Sequence, residues 1–164
     1  MVSLFLAGCM GYPENIRPVT DFELDQYLGK WYEIARLDHR FERGLERVTA
    51  EYTLLENGGI QVKNRGFSIE ENRWKEAVGR ADFAGRPDEG YLKVSFFGPF
   101  YSAYVIFELE KENYQYAFVS GYSDAYLWLL SRTPTVSDQL KAEFEKKAAA
   151  LGFPSQELIW VRQE

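Results

Sequence analysis

From Trp31 to Arg132 the chain repeats one pattern: a short run alternating apolar and polar residues, a brief break, then another such run. Val48, Ala50, Tyr52 and Leu54 alternate with Thr49, Glu51 and Thr53, the period of two of a half-buried strand. Glu56-Asn57-Gly58-Gly59 then supplies residues that tolerate positive φ, as a tight hairpin requires. The next strand is expected from Ile60 through Val62 to about Phe67, with others over 73–84, 91–97, 102–110, 114–121 and 125–132. Residues 85–90 and Lys111-Glu112-Asn113 separate some of them. With a first strand near 30–38 the count is eight, joined by short links. The expected fold is therefore all-β, an eight-stranded antiparallel up-and-down β-barrel, which loses its sheet edges by closing on itself. Eight strands enclose roughly one small ligand. A sandwich with a filled core is the competing arrangement.

One C-terminal α-helix follows. Thr135 is expected as N-cap with Asp138 at the third helical position. Val136, Leu140, Phe144, Ala148 and Leu151 form an apolar stripe, while Lys141, Glu143, Glu145 and Lys147 face water. Gly152 stands where the helix should stop. Such a stripe suits a helix packed outside the barrel, and Leu158-Ile159-Trp160-Val161 reads as a short ninth strand at the barrel edge.

Charge and residue counts remove several function classes. The net charge is -6 with Lys and Arg scattered singly, so there is no basic stripe for nucleic acid and no steady attraction to anionic lipid. One Cys and one His exclude an intramolecular disulfide and fall short of a structural zinc site. No metal, no cofactor and no catalytic residue is expected. His39 has Asp38 beside it but no Ser or Cys neighbour in sequence, so it reads as a bystander. Aromatic residues make up 16% of the chain, which suits strands and a wall that touches something apolar.

The first nine residues stand apart. Leu6-Ala7-Gly8-Cys9 resembles the lipobox of bacterial lipoproteins, in which cleavage precedes the Cys and the Cys is diacylated. Residues 1–9 are thus read as a truncated signal and lipobox segment, with Cys9 as the lipidation site. Residues 10–20, with Pro13 and Pro18, read as an extended tether. The barrel domain is placed at 21–164. Met10 lacks the Asp associated with inner-membrane retention, which favours an outer-membrane anchor with the domain in the periplasm. No segment approaches the ~20 apolar residues of a transmembrane helix.

Gly29-Lys30-Trp31 carries a G-x-W signature, preceded by a short helical turn over Leu24–Leu28. Together with Tyr32-Glu33-Ile34-Ala35-Arg36 it resembles the bacterial lipocalins and their apolipoprotein D-like relatives. Further matching stretches are 39–45, 96–101, Tyr126-Leu127-Trp128 and Leu130-Ser131-Arg132-Thr133-Pro134, so the resemblance covers residues 25 to 161. It departs at the turn between strands six and seven, where many lipocalins have Thr-Asp and this chain has Lys111-Glu112-Asn113-Tyr114. The resemblance implies that Arg132 packs over Trp31 and closes the barrel base, a contact of ~0.5–2 kcal/mol. It also implies lipid storage or transport at the outer membrane, with lysophospholipid a plausible cargo.

If Gly29 and Arg132 mark the base, the connections at 39–46, 68–73, 97–101 and 121–125 form the mouth. Phe41, Phe97, Phe100 and Tyr101 then sit at the rim. They could line the entrance, touch membrane, form a homodimer interface or fold back locally. Expected ligand-binding residues are Tyr52, Val62, Asn64, Val94, Phe96, Tyr101 and Trp128, with Asn64 and Tyr52 as polar points. Strand six leaves two choices open, Val105 and Phe107 or Tyr104 and Ile106 facing in. Arg40 and Arg43 sit where a phosphate headgroup would emerge, or are simply solvated.

An acyl chain gains ~0.8 kcal/mol per methylene on leaving water, but a bilayer offers nearly the same gain. A cup therefore competes best for single-chain amphiphiles, fatty acids or lysophospholipids. The rival readings are an acid–base enzyme using Glu33 or Tyr52, and a structural envelope lipoprotein with a filled barrel. A fatty-acid-binding-protein barrel is disfavoured, because that fold places a helical pair where this chain has strand.

Overall fold

The structure, a computed structural model, describes residues 11–164, so Cys9 and Met10 lie outside the described residues. A short helix α1 (Leu24–Tyr27) leads into β1 (Gly29–Arg36), β2 (Leu45–Leu54), β3 (Ile60–Ser68), β4 (Arg73–Phe83), β5 (Tyr91–Phe97), β6 (Phe100–Leu109), β7 (Tyr116–Ser120) and β8 (Leu127–Ser131). Helix α2 (Asp138–Ala150), a single 3-10 turn (Ser155–Glu157) and β9 (Ile159–Trp160) complete the chain. Each strand from β1 to β8 pairs antiparallel with the next, and β1 also pairs with β8. The ring is closed, as the meander predicts.

Local chemistry sets the corners. At the β2–β3 hairpin Gly58 takes φ +89, a left-handed conformation that costs glycine nothing. Asn57 Oδ1 accepts from Gly59 N at 3.0 Å, and Leu55 N donates to Gly59 O at 2.7 Å. The helix cap differs from expectation. Ser137, not Thr135, is the N-cap, its hydroxyl accepting from Leu140 N at 3.1 Å, so Asp138 becomes the first helical residue. Thr135 is drawn off because its carbonyl accepts from Thr133 Oγ1 at 2.7 Å. Gly152 stops the helix at φ +90.

Two apolar cores lie on opposite sides of the strand wall. The inner one contains Trp31, Tyr52, Val62, Ile106, Val119 and Leu130. The outer one contains Val105, Phe107, Phe118, Leu127 and Leu129 beneath Phe144 and Ala148 of α2. Strand β6 is thus covered on both faces, with Tyr104 and Ile106 toward the interior and Val105 and Phe107 under the helix. A strand covered on both sides loses its hydropathy alternation, which is why its sequence left the choice open.

The wall has one seam. β2 follows β1 only along Gly29–Tyr32, and its pairing with β3 shifts register between Glu46 and Thr49. Beyond that point the C-terminal tail fills the gap. β9 pairs with β1 at Ala35 and Arg36, Val161 N donates to Ile34 O at 2.9 Å, and Arg47 N donates to Arg162 O at 2.6 Å. Gln163 Nε2 reaches Glu33 O at 2.6 Å and Val48 O at 3.0 Å.

The expectation of a free tether through residue 20 needs correction. Ile16 is buried and Tyr12 meets the Tyr91 ring edge-on at 5.2 Å. Val19 N donates to Ile106 O and Val19 O accepts from Gly90 N, both at 2.9 Å. Burial of Ile16 and these ladder-like bonds outweigh the two prolines, and the packed chain begins ahead of residue 21.

Candidate functional site: the barrel interior and its mouth

The base is sealed. The Arg132 guanidinium lies 3.9 Å from the Trp31 ring centroid. It donates to Gln26 O, Lys30 O, Tyr114 O and Tyr27 O at 2.8, 3.0, 3.1 and 3.2 Å. Trp31 is fully buried and donates from Nε1 to Tyr27 O at 2.8 Å. Gly29 allows the tight entry into β1 at φ +101, where an L side chain is strained.

Above this plug three tyrosine hydroxyls form a floor. Tyr104 OH lies 2.6 Å from Tyr27 OH and 2.8 Å from Tyr52 OH. Burial raises the pKa of all three, so the floor is a chain of neutral hydroxyls.

Sheet register turns Tyr52, Val62, Asn64, Val94, Phe96 and Trp128 toward the interior, through pairings such as Tyr52↔Val62, Ala81↔Val94 and Val119↔Trp128. Tyr52 and Val62 are buried, whereas Asn64, Val94, Phe96 and Trp128, which face the same way, are only half-buried. The accessible part of the inner wall therefore lies in the mouth half. Phe96 lies across Gly79, where an added Cβ would come within 2.7 Å of the ring and 2.6 Å of Ser95 O.

Tyr101 is not brought to this group. It lies on the outer face, with Lys93 Nζ 5.0 Å from its ring. Its face follows from that of β6: with Tyr104 inward, Tyr101 points out. At the rim Phe41, Phe97 and Phe100 are 62%, 73% and 74% exposed. The two loop arginines are engaged locally, Arg40 over the Phe41 ring at 4.8 Å and Arg43 Nε donating to Asp38 Oδ2 at 2.9 Å.

A buried polar cluster near the mouth was missed by sequence reasoning. A register shift between Glu33 and Ala35 turns both Glu33 and Arg36 inward, although their spacing of three puts them on opposite faces of a regular strand. Arg36 is 2% exposed and donates from Nη1 to Glu33 Oε2 at 3.1 Å. From Nη2 it reaches Glu42 O at 2.9 Å and Leu45 O at 3.2 Å, fastening the loop between β1 and β2. The Glu42 side chain turns into the barrel. Its Oε1 accepts from Trp128 Nε1 at 2.9 Å and from His39 Nε2 at 2.7 Å.

The two carboxyl groups are pushed apart in acidity. Burial raises the Glu33 pKa well above the usual carboxylate range, and the nearby Glu42 adds to this, against the pull of Arg36. Burial also works against ionised Glu42, but bonds from His39 and from the Glu33 carboxyl, with the charges of His39 and Arg36, outweigh it and lower its pKa. The two environments thus favour a neutral Glu33 beside an ionised Glu42. Three buried atoms here lack a hydrogen-bond partner: Arg36 Nε, His39 Nδ1 and Glu42 Oε2.

A cleft of about 440 Å³ lies outside the barrel, between Pro134–Val136, Trp160 and the C-terminal tail. Among the described residues no group of His, Cys, Asp and Glu is arranged to hold a metal, and no helix is long and apolar enough to cross a membrane.

The family described as the lipocalin-like domain matches residues 22–163. The outer membrane lipoprotein Blc of Vibrio cholerae serotype O1 is 58% identical over 164 residues, covering 100% of this chain and 96% of that protein. The protein of the same name in Escherichia coli K12 is 49% identical over 151 residues, 92% of this chain and 85% of its own length. Among solved structures, insecticyanin from the tobacco hornworm Manduca sexta superposes with a TM-score of 0.70 at 21% identity, over 92% of this chain and 86% of that one.

Proposed function

The chain belongs to the lipocalin-like family, and from that premise we propose that it is a carrier that stores or transports single-chain lipids at the bacterial outer membrane. The observation that carries the reading is the gradient along the inner wall. Val94, Phe96 and Trp128 face inward and stay half-buried near the mouth, above a packed and sealed base. An apolar lining with a few polar points suits a fatty acid or lysophospholipid, and Asn64 and the Tyr52 hydroxyl are such points. The relatives' name, outer membrane lipoprotein, supports an anchor at Cys9 with the barrel in the periplasm. A Cys9→Ala protein that still fractionates with membranes would discredit that anchor.

The test is extraction of the purified protein under native conditions, followed by mass spectrometry of the released lipid. Recovery of single-chain species at near-stoichiometric yield is expected. A protein that carries no lipid and takes up no fluorescent acyl probe would be a filled envelope protein instead.

A second reading has one point in its favour: burial raises the pKa of the Glu33 carboxyl, as general-acid work needs. Against it, Glu33 is buried and its Oε2 is held by Arg36 Nη1 at 3.1 Å. Release of fatty acid from lysophosphatidylcholine, abolished by Glu33→Gln, would establish this alternative.

A further inference from the structure

Glu42 is a loop residue whose carboxylate is spent on the inside of the barrel. It meets the indole N–H of an inward-facing strand residue, Trp128, and the imidazole of His39, beside a guanidinium that is 98% shielded, Arg36, whose own Nε lacks an acceptor. A buried guanidinium donor left without an acceptor is costly, and holding a charged loop side chain away from water costs more. A site that exists to pack would be served by an apolar residue at 42. Two N–H donors, Trp128 Nε1 and His39 Nε2, converge on one oxygen of a single oxyacid group, with the Arg36 charge beside it.

We propose that Arg36, His39 and Trp128 form the seat for the monoanionic head group of the cargo, and that Glu42 occupies this seat until a cargo acid replaces it. The inference rests on the carrier reading above and adds where the head lies and what charge it has. The balance of charge supports a monoanion. Glu42 leaves as one negative charge, and a carboxylate or phosphodiester brings one back to the same donors. An uncharged head would leave the two N–H donors and the buried Arg36 charge without the anion they face. The direction also fits the wall: a head held by Trp128 lies at the mouth, and the tail runs past Val94 and Phe96 toward the tyrosine floor. Arg36 Nη2 grips the backbone of residues 42 and 45, so the exchange asks only the Glu42 side chain to turn out. Arg40 and Arg43, the arginines that the sequence offers for a headgroup, lie in the same loop but face solvent.

The experiment compares cis-parinaric acid with its uncharged methyl ester, both read by fluorescence, in wild type, Glu42→Ala and Glu42→Gln. Both variants remove the competing carboxylate, and Glu42→Gln keeps its volume should the smaller residue disturb the fold. The preference for acid over ester is expected to rise at least tenfold in both. Competition with lysophosphatidylglycerol and with uncharged monopalmitoylglycerol then separates the two sources of the anion. Displacement by the lysophospholipid, and not by the glyceride, extends the seat to phosphodiesters. Displacement by neither confines it to carboxylates. A second readout is the Trp128 indole N–H resonance, assigned by its loss in Trp128→Phe. It is expected to move in Glu42→Ala and to return on addition of the acid but not of the ester. Ester and acid binding with an unchanged ratio, or shifting that resonance alike, would overturn the assignment of the head while leaving the carrier intact. Failure of every variant to bind either probe would overturn the carrier reading, and this inference with it.

Discussion

The Arg132 guanidinium stacks on the Trp31 indole at 3.9 Å while its N–H groups reach the carbonyls of residues 26, 27, 30 and 114. One planar cation therefore ties α1, β1 and the β6–β7 turn together at the barrel base. A lysine has the charge but neither the flat face nor the fork of donors. Arg132→Ala is expected to destabilise by roughly 2–4 kcal/mol, from the lost stacking and the orphaned carbonyls. Arg132→Lys should recover less than half of this. Urea unfolding measures both, and a loss under about 0.5 kcal/mol in Arg132→Ala would mean that the base seals without it.

Glu33 gives the protein a pH dependence whose sign follows from its raised pKa. Folding takes up a proton on Glu33, so its contribution is complete below the unfolded value of ~4.3 and disappears as pH rises through the folded value. The slope approaches ~1.4 kcal/mol per pH unit in that window. Glu42, with its lowered pKa, acts in the opposite sense: its contribution is present above ~4.3 and is lost as pH falls toward the folded value. Glu33→Gln keeps an oxygen for Arg36 and offers an N–H to Glu42. Denaturation at pH 3, 5, 7 and 9 should show the decline with rising pH in wild type and its absence in the variant, with the loss below ~4.3 retained in both.

Phe96→Asp places a carboxylate among Val94, Ala81 and Gly79, where the Phe96 ring now lies. Losing that apolar surface from the proposed lipid site is expected to remove about 2 kcal/mol, or roughly thirtyfold in acyl-probe affinity. Trp128→Ala should weaken the acid probe by a similar factor. Affinity unchanged in Phe96→Asp would take that residue out of the site.

Phe97 and Phe100, at 73% and 74% exposure, contribute little to folding. A Phe97→Ser, Phe100→Ser double variant is expected to match wild type in unfolding free energy within about 0.5 kcal/mol. Its effect should appear in association. A drop in sedimentation coefficient would assign the rings to a contact between two copies, and lost flotation with phosphatidylcholine vesicles would assign them to membrane.

The sequence shows the barrel well because closure rests on local signals. Alternation, the Asn57–Gly58 turn, Gly152 and the Trp31–Arg132 pair each leave a mark on a few adjacent residues. The site was legible only where strands are regular. Asn64, Phe96 and Trp128 follow from period two, whereas Tyr101 does not, because the covered faces of β6 hide which way that strand points. The Arg36–Glu42 cluster left no such mark. Its inward turn comes from a register shift in β1 and from a loop side chain whose destination depends on contacts with β8. A polar residue in a strand otherwise reads as outward-facing.

The strip where residues 161–163 lie between the mouth-side parts of β1 and β2 means that this cylinder, welded by strand pairing at its base, is buckled at its mouth. Opening it on the mouth side breaks the bonds made by Arg47, Val161 and Gln163, at about 0.5–1.5 kcal/mol each. The stave-to-stave pairing around the rest of the circumference stays whole. Girth at the mouth is thus set by a buckle, which can loosen without unravelling the vessel.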